Sequence, residues 1–97
     1  MVKHIVFWRI REELNKEEVA NTMIKKLSGL QGQIPGLINI EAGRDFNGSP
    51  VAFDVALYSE LESHDALAVY QDHPLHVEVK EYIGSVTTDR CVVDYAI

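Results

Sequence analysis

The chain predicts an α+β fold, a four-stranded antiparallel sheet with its helices on one face, and three observations carry that prediction. Runs with the alternation of β-strands open and close the sequence, at Val2 to Arg11 and Val86 to Tyr95. Two more such runs sit next to each other in the middle. Stretches with helical spacing separate that middle pair from the first strand and from the last. The order is βαββαβ, and the right-handedness of crossover connections folds it into the ferredoxin-like sandwich.

Each element has its own local reason. In the first strand Val2, His4, Val6, Trp8 and Ile10 share one face while Lys3, Ile5, Phe7, Arg9 and Arg11 share the other, so both faces carry apolar residues. Asn15 followed by Glu18 is an asparagine form of the capping box, and Val19, Met23, Leu27 and Leu30 then recur at helical spacing. Gly29, Gly32, Pro35 and Gly36 break that pattern, giving a first helix over Lys16 to Leu30. Leu37 to Arg44 and Val51 to Leu61 read as antiparallel strands joined by a segment with the Asn47-Gly48 turn signal. Ser63 caps a short helix over Ala66, Leu67 and Tyr70. After Pro74 the residues Leu75, Val79, Tyr82 and Ile83 mark a second helical piece that Gly84 ends. The final run places Val86, Thr88, Arg90, Val92 and Asp94 opposite Thr87, Asp89, Cys91, Val93 and Tyr95, with Cys91 expected as a small buried hydrophobe.

At 97 residues the chain is read as one domain, residues 1–97, and a domain of that size hides roughly 65 % of its unfolded surface. Nine basic against fifteen acidic residues leave a net charge of −6, with no basic cluster beyond Lys25-Lys26, which argues against a nucleic-acid partner. A lone cysteine rules out an intrachain disulfide, and no apolar stretch has the length of a membrane span or the form of a cleaved leader. A cytoplasmic location is the expectation, with no membrane partner. Because both helices cover one sheet face, Ile5 and Phe7 on the other would form an uncovered apolar patch, and packing a second copy sheet to sheet would bury it. The expected partner is therefore the chain itself, as a homodimer.

The stretch Tyr70-Gln71-Asp72-His73-Pro74-Leu75-His76-Val77 carries the most chemistry. Proline suits the first helical position, which makes His73 the cap residue and sets His76 in the first turn. The positive end of the helix dipole favours a neutral imidazole there. His76 borders Val79 and Ile83 on the helical wheel, so it should point inward and need a partner, which Tyr70 or His4 could supply. That arrangement reads first as a structural pair, next as a ligand or catalytic site, and last as a metal site, since metal-binding histidines usually come with further ligands. His64 is read as exposed, and Trp8 and Phe53 as packed aromatics. Asp45, Asp54, Asp72, Asp89 and Asp94 lack the dense alternation of a calcium loop, and neither metal nor cofactor is expected.

The sequence resembles the stress-responsive A/B barrel (Dabb) domain family of dimeric α/β barrels. The resemblance rests on Val2 to Val6, Ile34-Pro35-Gly36, Gly43 to Phe46, Leu61-Glu62-Ser63, Tyr70 to Val77 and Val93-Asp94-Tyr95. It implies two ferredoxin-like subunits joined through their sheets. At His4, Tyr70 and His76 the chain is similar to the plant polyketide cyclase branch, typified by olivetolic acid cyclase. That likeness implies His76 as general base, His4 as the group holding a substrate oxygen, and Tyr70 as the residue orienting His76. Where that branch turns a tyrosine of the first helix into its pocket, this chain presents Met23, Ile24 and Leu27. The pocket expected between sheet and helices has His4, Tyr70 and His76 as its polar groups, with His73, Trp8, Met23 and Leu27 as further ligand contacts. Two functions follow: a homodimer that binds a small apolar or aromatic metabolite, or a cofactor-free enzyme of cyclase, lyase or isomerase type. A third reading makes assembly itself the role.

Overall fold

The structure is a computed structural model describing residues 1–97, with the order β1 (Val2–Ile10), α1 (Lys16–Ser28), β2 (Leu37–Arg44), β3 (Val55–Leu61), α2 (His64–Asp72), α3 (Pro74–Val86) and β4 (Thr87–Ala96). The four strands form one antiparallel sheet in the order β2-β3-β1-β4. The ferredoxin-like α+β arrangement expected from the sequence is the one observed.

The inner face of the sheet meets the helices through Val2, Val6, Trp8 and Ile10 of β1 and Val55, Leu57 and Leu61 of β3, all buried. Against them α1 sets Ala20, Met23 and Leu27, α2 sets Tyr70, and α3 sets Val79 and Ile83, so one apolar cluster of 17 buried residues runs through the molecule. Asn15 caps α1 as its sequence implies, its side chain accepting from the Glu18 N–H at 3.1 Å. Gly36 takes φ +84° just before β2, and a Cβ there would lie 2.6 Å from that of Ala66. The missing side chain thus allows both the left-handed turn and the close seating of α2 over the entry to β2.

Several boundaries differ from expectation. The third strand begins at Val55 rather than Val51, because the Asp54 carboxylate accepts the Ile10 N–H at 2.7 Å and so replaces the next backbone partner. The first helix stops at Ser28, two residues short of Leu30, where the chain enters a series of turns. Gly84 does not end α3. It keeps a right-handed conformation, and the helix runs to Val86, closed by the Thr87 hydroxyl donating to the Ile83 carbonyl at 2.8 Å. A register shift opposite Arg9 and Ile10 changes the facing of β4 near its start. Thr87 and Arg90, expected on opposite faces, border the same cleft.

Cys91 is exposed, not buried. It pairs with Phe7 on the outer face, which no helix covers; there Phe7 is 41 %, Val93 59 % and Tyr95 45 % exposed. The same face carries a cluster in which the Lys3 ammonium donates to the Glu60 carboxylate and to the Tyr58 hydroxyl. Those two bonds, the one to Glu60 first, hold the Lys3 ammonium well above the ordinary lysine range. No helix is long and apolar enough to cross a membrane.

Candidate functional site

Because β4 is an edge strand that α3 covers only in part, a cleft of about 340 Å³ opens between α3 and the β1–β4 side of the sheet. Its apolar walls are Val6, Trp8, Leu27, Leu57, Val79 and Ile83. Its polar groups are His4, Gln71, His76, Lys80, Thr87 and Arg90.

His4 lies on the inner face of β1 and is 2 % exposed. Asp94 is its cross-strand partner on β4, and the His4 Nδ1–H donates to Asp94 Oδ1 in a short contact. In the neutral tautomer that this bond selects, the lone pair resides on Nε2.

His76 owes its setting to the break before it. Pro74 takes the first position of α3, and the N–H of Leu75 donates to His73 Nδ1 at 3.2 Å, so the carbonyl of Gln71, in the last turn of α2, is left without a helical partner. His76 Nδ1–H donates to that carbonyl at 3.2 Å. Nε2 is again the unprotonated nitrogen. Burial, chiefly, pushes the His76 pKa below its ordinary 6.5, with His4, Lys80 and Arg90 adding to the effect and the Gln71 bond opposing it. The imidazole is neutral at physiological pH.

Tyr70, fully buried in the last turn of α2, stands beside both imidazoles. Its ring centroid is 4.2 Å from that of His76 at 37° and 5.8 Å from that of His4 at 65°. The expectation that Tyr70 or His4 would satisfy His76 by hydrogen bonding is corrected: the partner is the Gln71 carbonyl, and the Tyr70 hydroxyl has no partner. Burial holds that phenol well above its ordinary range, so it is an O–H throughout the physiological window.

Of the residues singled out from sequence, His4, His76, Trp8 and Leu27 meet in the cleft. Tyr70 packs behind His76, and Met23 is wholly buried in the core without lining the cavity. His73 caps α3, as its position implies, and neither His73 nor Met23, both expected as ligand contacts, lines this cavity. Sequence reasoning missed Asp94, Gln71, Lys80, Thr87 and Arg90. Asp94 carried a readable signal, a carboxylate on an alternating strand, but its pairing with His4 needs the β1–β4 register.

The profile of the stress-responsive A/B barrel domain matches residues 2–97. The chain belongs to this family. A Streptomyces coelicolor protein with no assigned function is 29 % identical to it over 77 residues, 78 % of this chain and 79 % of that one. A crystal structure described as a dimeric ferredoxin-like protein of unknown function, from Bacteroides fragilis, superposes with a TM-score of 0.87 at 30 % identity over 99 % of this chain and 95 % of that chain. A hydroxynitrile lyase of Passiflora edulis shares the fold, with a TM-score of 0.85 at 22 % identity over 99 % of this chain and 92 % of its own. The family membership drawn from the sequence motifs therefore holds, and neither the family nor the shared fold gives a reaction.

Proposed function

We propose that this A/B barrel protein is a homodimer that binds a small, largely apolar or aromatic metabolite in the cleft between α3 and the sheet. The observation that carries the reading is the pair of histidines. His4 and His76 both border one apolar cavity, and each has its Nδ1 engaged by a protein acceptor, so Nε2 is the nitrogen open to a ligand hydroxyl or carbonyl group. The dimer is supported by the uncovered apolar residues of the outer face and by the dimeric description of the Bacteroides fragilis relative.

The test uses the chain's single tryptophan, which borders the cleft. Titration with para-alkylphenols should change Trp8 emission saturably, and a Val79→Trp variant measured by calorimetry should lose binding because the added ring fills the cavity. Equal binding by that variant refutes the site.

A second reading is favoured by the unprotonated Nε2 and lowered pKa of His76: cofactor-free proton abstraction beside a carbonyl, with His76 as base, His4 holding the oxygen and Tyr70 positioning His76 through ring packing. Solvent deuterium exchange into the α-position of an aryl ketone, followed by NMR, should be accelerated by the wild type and not by His76→Gln. Equal rates for the two proteins refute catalysis and leave binding intact.

A further inference from the structure

Building on the cleft as a binding site, we infer that its ligand is a carboxylic acid, an apolar or aromatic body with one carboxylate held at the cleft by Lys80 and Arg90. Fifteen acidic residues against nine basic ones make this chain acidic, yet the cavity lining contains two cations and no Asp or Glu. The two come from different elements, Lys80 from α3 and Arg90 from β4, and both line the cavity. Neither is in an ion pair, a condition they share with Arg11, Lys25, Lys26 and Arg44, but of these six only Lys80 and Arg90 line the cavity. Asp94, on the same strand as Arg90, is engaged by the His4 Nδ1–H and is not among the lining groups.

Two cations without internal counter-charges beside an apolar cavity form an arrangement that an anion completes. Arg90 offers a planar fork that matches a carboxylate, and Lys80 a point charge. Both also act against imidazolium at His76, so the anion meets lysine and arginine while His76 Nε2 keeps its lone pair for a neutral group of the same ligand. No backbone cradle of the kind that binds phosphate lines the cavity, since its polar groups are side chains of strands and of the helices beyond their first turns, apart from His76. A carboxylate is thus favoured over a phosphate ester.

The experiment is calorimetric titration of the wild-type dimer with 4-propylbenzoate, 4-propylbenzamide and 4-propylphenyl phosphate. The benzoate should bind about tenfold or more tightly than the isosteric amide, and the advantage should shrink about tenfold across Lys80→Gln and Arg90→Gln together. Both side chains are exposed, so unchanged unfolding temperatures check that the variants are folded. Equal affinity for benzoate and amide, or an advantage that survives both substitutions, overturns the inference while leaving the cleft a binding site. Preference for the phosphate ester overturns the carboxylate assignment. Absence of binding by all three, with para-alkylphenols also silent, removes the cleft reading and this inference with it.

Discussion

Replacing Tyr70 with phenylalanine should make the protein more stable, an outcome opposite to that expected for most core substitutions. The Tyr70 hydroxyl is buried and finds no hydrogen-bond partner among the protein's own groups, and such a group costs about 1–3 kcal/mol of desolvation. Deleting it leaves a void of about 10 Å³, worth about 0.2 kcal/mol at about 24 cal/mol per Å³, so the net gain is about 1 kcal/mol or more. For a chain of this size that corresponds to a rise in Tm of about 4–8 °C per kcal/mol. Tyr70→Ala should instead lose about 3–5 kcal/mol, because the ring in contact with His4 and His76 disappears with the hydroxyl. Thermal and urea unfolding at one fixed protein concentration measures both, the concentration being held because a dimer's stability depends on it. A Tyr70→Phe variant destabilised by about 1 kcal/mol would show that the hydroxyl makes a stabilising bond, and would refute the view that Tyr70 supports His76 through its ring alone.

Gly36→Ala should cost about 2–4 kcal/mol by urea unfolding, combining strain at φ +84° with a Cβ 2.6 Å from that of Ala66. Asp94→Ala should lower stability by about 1 kcal/mol, discounted because the Asp94 side chain is 36 % exposed, and should weaken ligand binding more than its effect on Tm suggests, since His4 loses its orienting acceptor. The neutral, buried His76 adds a pH dependence. Its folded pKa lies below 6.5, so the unfolded chain takes up the proton first. The associated stability is fully present above pH 6.5 and is lost as pH falls from there through the native value. Urea unfolding across that window should show the slope in wild type and a smaller one in His76→Gln.

The fold was legible because its signals are local. The alternation of Val2 to Ile10, the Asn15 cap and the Pro74 break each depend on a few neighbouring residues. The two histidines of the site were legible for the same reason, one on an inward strand face and one in the first turn after proline. What stayed hidden depends on pairing between distant segments. Asp94 joins His4 only through a register across 90 positions of chain, and Arg90 reaches the cleft beside Thr87 only because the β1–β4 ladder shifts opposite Arg9 and Ile10. The partner of His76 was missed for another reason. The bond goes to no side chain but to a backbone carbonyl that a helix end leaves free, and nothing in the local residue pattern marks that carbonyl.

That carbonyl links a single residue of the sequence to the chemistry of the cleft. Proline at position 74 holds His73 out of the helical conformation, so α2 ends at Asp72, the Leu75 N–H turns to His73 Nδ1, and the donor the Gln71 carbonyl receives is His76 Nδ1. Fixing the proton on Nδ1 places the lone pair on Nε2. Pro74→Ala restores the N–H and removes the constraint that keeps His73 extended at φ −65°, ψ 133°, so α2 and α3 can merge. Leu75 N–H would then donate to Gln71 as the ordinary helical bond, and His76 would lose the acceptor that selects its tautomer. Nitrogen-15 shifts of the His76 ring should report one dominant Nδ1–H tautomer in the wild type and a mixture in Pro74→Ala, with ligand affinity falling although no cleft-lining residue has changed. An unaltered tautomer in the variant would mean that the burial of His76 beside Tyr70, and not the helix break, fixes the proton.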